Sequence, residues 1–228
     1  IQIMRERNHF GSMMVELGDA DAMISGITRN YRDVVRPAIQ TVGLQKDMNR
    51  VAGMYILNTK RGPLFLADTT INLNPSAEDI AEITSNVAKT IRKFKVNPRI
   101  ALLSYSNFGS SPGEDASKMS KAVELIHEND PNLIVDGEVQ ANFALNSQLM
   151  NEKFDFSVLS NKKVNTLIFP NLSSGNIAYK LLQEMTEGDA IGPVLVGLRK
   201  SIHVLQMGSS VREIINMVKV AVVDAQNK

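Results

Sequence analysis

Short apolar runs alternate with stretches that carry an apolar residue at every third or fourth position, and this alternation limits the fold more than any other feature of the chain. Residues 22–25, 51–57, 64–67, 99–105, 133–135, 164–169, 193–196 and 202–205 read as strands. The strand at 99–105 is continuously apolar from Ile100 to Leu103, as in a strand covered on both sides. Lys60-Arg61-Gly62-Pro63 marks a turn, so the strands on either side of it form a hairpin. The strand at 133–135 is expected to end at Asp136-Gly137-Glu138. Asn74-Pro75-Ser76 opens a helix, with proline in the first turn and Asn74 or Ser76 as its cap. Ile80, Ile83, Val87, Ile91 and Phe94 then form one apolar face. Ala116, Met119, Val123 and Ile126 mark a second helix, and Ile177, Leu181 and Met185 a third. The closing helix starts near Ser210, where Ser210-x-x-Glu213 has the pattern of a capping box, and carries Ile214, Val218 and Val222. Strands and helices in this order imply an α/β fold, its sheet mainly parallel with helices on both faces.

The balance of charge excludes some partners. Lys plus Arg total 25 and Asp plus Glu 24, which gives no basic face for nucleic acid, and aromatics at 5% give no base-stacking surface. Cysteine is absent, which excludes disulfides, thiolate zinc sites and a cysteine nucleophile, and fits a reducing compartment such as the cytoplasm. No apolar run approaches the ~20 residues that span a bilayer, and no signal peptide is visible. The chain opens inside an apparent helix, with Ile3, Met4, Phe10, Met13, Met14 and Leu17 near helical spacing, and reads as a piece of a longer protein.

In open α/β sheets, ligands bind beyond the carboxyl ends of the strands. Four strands end in small polar loops that lead into helices, around Ser25–Asn30, Ser104–Ser111, Asn171–Asn176 and Gln206–Ser210. Backbone N–H groups at a helix start attract phosphate or carboxylate. Simple helix capping is the competing reading for each loop. Arg36, before Pro37, is either a phosphate clamp or half of a surface ion pair. The nucleotide-binding glycine motifs and the G-x-S-x-G nucleophile elbow are absent. His9, His127 and His203 lack metal-ligand spacing. Asp19, Asp21, Asp68 and Asp136 read as capping or loop-ordering residues, so no metal site is expected. Met13, Met14 and Met217 read as core filler.

Several motifs resemble the phosphate acetyltransferase and butyryltransferase family. They are Gly18-Asp19-Ala20-Asp21-Ala22-Met23-Ile24-Ser25-Gly26, Val35-Arg36-Pro37-Ala38-Ile39-Gln40, Phe65-Leu66-Ala67-Asp68, Asn74-Pro75-Ser76-Ala77-Glu78 and Ala101-Leu102-Leu103-Ser104-Tyr105-Ser106. Val135-Asp136-Gly137-Glu138-Val139-Gln140, Leu167-Ile168-Phe169-Pro170-Asn171-Leu172, Gly175-Asn176-Ile177-Ala178-Tyr179-Lys180 and Ile191-Gly192-Pro193 continue the resemblance to near the C-terminus. The resemblance implies a two-lobed, three-layer phosphotransacetylase fold of the isocitrate/isopropylmalate dehydrogenase type. Residues 1–48 with 193–228 would belong to the first lobe, whose N-terminal part lies outside this chain, and 49–192 to a dimerising second lobe. Active relatives move an acetyl group between CoA and phosphate with an Asp-Leu-Ser-Arg-Gly segment and a following aspartate. Here the matching positions are Gln206 for serine, Met207 for arginine and Glu213 for aspartate. Arg36 matches the family's phosphate-side arginine, and Arg29 stands where a histidine is usual.

Arg7-Asn8-His9-Phe10-Gly11, Thr28-Arg29-Asn30-Tyr31, Asn107-Phe108-Gly109-Ser110-Ser111, Lys163-Val164-Asn165-Thr166 and Val222-Val223-Asp224-Ala225-Gln226 resemble the C-terminal domain of hybrid NADP-dependent malic enzymes. That resemblance implies a domain without catalytic residues that senses acetyl-CoA or a related CoA ester, inhibits a fused malic enzyme portion, and builds a homodimer or higher homo-oligomer. NADP and a divalent metal would serve the malic enzyme portion and no cofactor this one. The expected ligand residues are Arg36, Arg29, Thr28, Asn30, Ser106, Asn107 and Ser110. Two alternatives remain open at this stage: an active acyltransferase with Glu213 as base and Arg36 on phosphate, and a purely structural dimerisation domain.

Overall fold

The alternation resolves into sixteen helices and strands after a short 3-10 turn, in a computed structural model that describes residues 2–46, 48–186 and 190–227. In chain order they are α1 (Arg7–Leu17), β1 (Ala22–Gly26), α2 (Tyr31–Val42), β2 (Ala52–Thr59), β3 (Gly62–Ala67), α3 (Ala77–Lys93), β4 (Ile100–Leu103) and α4 (Glu114–Asn129). Then follow β5 (Val135–Val139), α5 (Ala141–Leu145), α6 (Ser147–Lys153), β6 (Thr166–Ile168), α7 (Leu172–Met185), β7 (Ala190–Val196), β8 (Ser201–Leu205) and α8 (Val211–Gln226).

Two sheets carry the chain. The larger has the order β5-β4-β6-β3-β2-β7; its β5-β4-β6-β3 side is parallel, and β2 runs antiparallel to both β3 and β7. The smaller pairs β1 with β8 in parallel. β7 lies wholly in the larger sheet and spans the 192/193 position at which the lobes were expected to divide.

The period of two along β2 explains the layers. Met54 and Ile56 face a core shared with α3, α4 and α8, while Tyr55 and Leu57 face a second core closed by α5, α6 and α7. Helices therefore cover both faces of the larger sheet. A third core joins α2, through Val34, Val35, Ala38 and Val42, to Ile202 and Val204 of β8. No described helix is long and apolar enough to cross a membrane.

Three local expectations are corrected. Ser76 is the cap of α3: its Oγ accepts from the Asp79 N–H while the Asp79 carboxylate accepts from the Ser76 N–H, so Pro75 precedes the cap and lies outside the first turn. Asp136-Gly137-Glu138 lies inside β5 and does not end it. Gly137 makes this possible, because at φ 150 a Cβ there would stand 2.5 Å from the Leu102 carbonyl oxygen, and the pairing with β4 shifts register at that point. The apolar stripe read on α7 faces outward, and that of α8 does so apart from Ile214, which packs against the main core. Ile177, Leu181 and Met185 of α7 are exposed, and α7 buries Gly175 and Tyr179. Likewise α8 exposes Val218 and Val222 and buries Met217, Val220 and Ala221. Met217 is core, as expected.

Gly26 ends β1 against β8 at φ 125, and a Cβ there would lie 2.0 Å from the Leu205 carbonyl oxygen. Gly26→Ala is expected to lower stability by about 3 kcal/mol in urea unfolding, from backbone strain and the contact together. An unchanged midpoint would mean that the two strand ends are not held together.

Candidate functional site

A cleft of about 930 Å3 opens between α2 on one side and, on the other, residues 70–73 and the start of α7, with Gln206 also in its lining. Each wall is held by buried polar groups.

The first wall is the outer face of α2. Its inner face is fixed in the third core, which turns Arg32, Arg36, Ile39 and Gln40 toward the cleft. Pro37 sits inside this helix and has no N–H for the carbonyl of Asp33. The freed carbonyl accepts instead from Asn8 Nδ2 at 2.9 Å. Asn8 Oδ1 in turn accepts from the Ser25 hydroxyl at 2.7 Å. The buried Asn8 thus ties α1, the end of β1 and the middle of α2 beside Arg36.

The second wall depends on Asp68, buried at the end of β3. Its carboxylate accepts from the backbone N–H groups of Gly53, Thr70, Ile71 and Asn72 and from the Asn72 side-chain amide. These bonds fold 68–72 into one shape and present Thr70 and Ile71 to the cleft. Gly175 lets α7 approach, since a Cβ there would lie 2.2 Å from the Asp68 carbonyl oxygen, and Asn176 Nδ2 donates to the Thr69 carbonyl. The walls meet where the Tyr31 hydroxyl and Thr70 Oγ1 lie 3.2 Å apart. Burial pushes the Tyr31 phenol up, so it remains a protonated donor.

The expected site residues separate into three groups. Arg36 lines the cleft. Thr28, Arg29 and Asn30 stand exposed on the loop entering α2, outside the cleft's lining; Thr28 Oγ1 accepts from Arg7 at 3.4 Å, and Asn30 is the α2 cap without a side-chain capping bond. Ile27 in the same loop has φ 62, a costly conformation for a β-branched residue. Ser106, Asn107 and Ser110 are joined to one another and to β5. Ser106 Oγ donates to Glu138 at 2.8 Å, Asn107 Oδ1 accepts from the Gln140 N–H, and Ser110 Oγ accepts from the Asn107 N–H. Gly109 N–H also donates to Glu138, so this loop is folded around a buried carboxylate, and none of its three residues lines the cleft.

The segment after β8 carries little charge into the site. Gln206 lines the cleft, whereas Met207 is 71% exposed and outside the lining. The Glu213 carboxylate accepts from the Ser210 N–H at 2.6 Å, and Ser210 Oγ accepts from the Glu213 N–H, which completes the capping box. Sequence reasoning missed Arg32, one helical turn before Arg36 in the same lining. A second recess of about 600 Å3, with Tyr105, Glu114 and Asp115 in its lining, adjoins the cleft through Leu73 and Ser173. Among the described residues no cluster of three or more His, Cys, Asp or Glu is placed to hold a metal ion.

Comparison with known proteins places this geometry. The family model described as phosphate acetyl/butaryl transferase matches residues 1–222. An NADP-dependent malic enzyme of Escherichia coli (strain K12) is 42% identical over 219 residues, which cover 96% of this chain and 29% of that protein. A phosphate acetyltransferase of Clostridium acetobutylicum is 34% identical over 99% of this chain and 69% of its own length. The crystal structure of a phosphotransacetylase from Streptococcus pyogenes superposes with a TM-score of 0.94 at 35% identity, covering all of this chain and 69% of that one. The chain thus spans under a third of the malic enzyme it matches.

Asn8→Ala strands the Asp33 carbonyl and the Ser25 hydroxyl, at an expected cost of about 1–3 kcal/mol, and Asp68→Ala strands five donors, at about 3 kcal/mol or more. Urea unfolding of the two variants checks both values. Wild-type stability in Asp68→Ala would mean that water satisfies the 68–72 loop.

Proposed function

The chain belongs to the phosphate acetyl/butyryl transferase family, and from that premise we propose that it is a phosphotransacetylase-like regulatory domain that binds acetyl-CoA without transferring its acetyl group. In this reading it is part of a cytoplasmic NADP-dependent malic enzyme, whose remaining portion holds NADP and a divalent metal and converts malate to pyruvate. Acetyl-CoA in the cleft inhibits that portion, and the domain helps to assemble a homo-oligomer. The matched share of the Escherichia coli malic enzyme supports the fusion, and the exposed apolar stripe of α7 suits a subunit contact.

The observation that carries the loss of transfer chemistry is the segment Gln206-Met207. Charge developing on a transferring acyl or phosphoryl group needs a fixed cation or strong donors, and losing one such donor typically costs ~3–4 kcal/mol of transition-state stabilisation. Gln206 brings a neutral amide to the cleft and Met207 brings nothing. The Glu213 carboxylate is already bonded to the backbone of its own cap. Binding has weaker demands: Arg36, Gln40, Thr70 and Asn176 offer a cation and polar groups without complementarity to a transition state.

A second reading, active phosphate acetyltransfer with Arg36 on phosphate and Glu213 as base, is favoured by the identity to the Clostridium acetobutylicum enzyme and by the open cleft. Calorimetric titration with acetyl-CoA, beside an acetyl phosphate plus CoA transfer assay, separates the readings. Binding without turnover is expected, with Arg36→Ala weakening it about tenfold or more. Turnover above the rate without protein would establish the second reading, and neither binding nor turnover would leave the domain a structural one.

A further inference from the structure

His9 of α1 stands between a carboxylate and a residue of the cleft. Its Nδ1 lies 3.0 Å from Glu6 Oε2, and its Nε2 lies 3.2 Å from the side-chain oxygen of Gln40. Gln40 belongs to α2 and lines the cleft one turn beyond Arg36. Glu6 is the N-cap of α1, and the same oxygen accepts from the backbone N–H groups of Asn8 and His9 at 3.0 Å each. Burial opposes its charge, but those N–H groups and the His9 ring hold the Glu6 carboxyl below its usual range, so it is ionised and can only accept. Nδ1 therefore carries a proton in either charge state of the ring. The proton that comes and goes is the one on Nε2, which faces Gln40.

A side-chain amide can answer both states of the ring, because one end accepts and the other donates. Toward imidazolium Gln40 turns its oxygen and leaves its NH2 group for the cleft. Toward neutral imidazole it turns the NH2 group and leaves its oxygen. We infer that His9 is a positioning residue: through Gln40 it sets whether the cleft presents a donor or an acceptor beside Arg36, and it makes the affinity of the cleft for anions rise as pH falls. Imidazole is the side chain whose ordinary charge change lies between about pH 5 and 8. The other ionisable groups around it keep their charge over that range. On its own side they are Glu6, Arg5 of the short turn before α1, Arg7, which reaches Thr28, and Glu16, which is paired with Arg199. On α2 they are Arg32, Asp33 and Arg36, and β1, which also packs on α1, carries none. The inference adds a regulation to the acetyl-CoA reading and rests on this cleft being the ligand site.

Sulfate, whose own charge is constant across this range, tests the relay when titrated calorimetrically into the full chain at about pH 5 and about pH 8. Binding about threefold or more tighter at the lower pH is expected, the worth of one hydrogen bond. His9→Gln should flatten this dependence, Gln40→Met should remove most of it, and His127→Gln on α4 should leave it intact. A full dependence in Gln40→Met would mean that the charge of His9 acts without the amide, and an undiminished one in His9→Gln that another group titrates; either overturns the relay. A second readout needs no ligand. In NMR spectra the side-chain amide signals of Gln40 are expected to move together with the ring signals of His9 as pH changes, and amide signals that stay fixed while the ring titrates overturn the relay as well. Acetyl-CoA titrated into the same protein keeps the two ideas apart. Coupled His9 and Gln40 signals without acetyl-CoA binding reject the functional reading and keep the relay; acetyl-CoA binding with an unresponsive Gln40 does the reverse.

Discussion

The carboxylate of Asp68 is buried at the end of β3, and its desolvation is offset by four backbone N–H groups and one amide. Three of the backbone donors come from 70–72, so the charge sets the path of the chain out of the larger sheet. The fourth, from Gly53, ties that path to β2. Asn72 extends the tie by donating to the Val51 carbonyl, and Thr69 by donating to that of Gly53. The start of α7 then packs on the loop through Gly175 and Asn176, and Tyr31 of α2 meets Thr70. Without this carboxylate five donors of the loop and of β2 would lose their acceptor.

The opposite wall follows a different logic with the same outcome. Proline in the middle of α2 leaves a carbonyl without its helical partner, and the cost is met by a buried asparagine from α1 that also binds the end of β1. Arg36 precedes the proline and is held at a place where three elements converge. Both cations of the cleft come from α2, and the β8 end contributes only an amide. That division suits recognition of an anion better than stabilisation of charge that develops during transfer, which needs donors aimed from the strand end at the reacting atoms.

Periodicity made most of the elements legible. Ile80, Ile83, Val87 and Ile91 are buried on α3 as their spacing implies, and the hairpin of β2 and β3 forms around Lys60-Arg61. Spacing marks an apolar face but not what covers it, which is why Ile177, Leu181, Val218 and Val222 face outward. Loop composition proved a weaker guide to the site. Ser106, Asn107 and Ser110 have the small polar character of an anion loop, yet their partners are one another, Gln140 and Glu138, and that carboxylate could be found only once Gly137 had let β5 run past it. Arg36 was legible beside its proline. Arg32 was not, because a lone arginine on a polar helix face has no signature until the facing wall is known.

The two walls come from different elements, and this gives the proposed regulation a physical basis. α2 is anchored in a core it shares with β8, with Leu195 of β7 and with Ile71, whereas α7 is anchored on the larger sheet. A ligand that touches both walls binds most tightly at one separation between them, so it favours that arrangement over any other. Tyr31 of α2 meets Thr70 at 3.2 Å across the cleft, and Ile71 packs against the core that holds α2. A domain whose ligand bound to one wall alone could report nothing to a distant partner, because its affinity would be equal in every arrangement. The placement of the cations on α2 and of Thr70, Ser173 and Asn176 opposite them is the feature that makes a sensor of CoA esters physically coherent here.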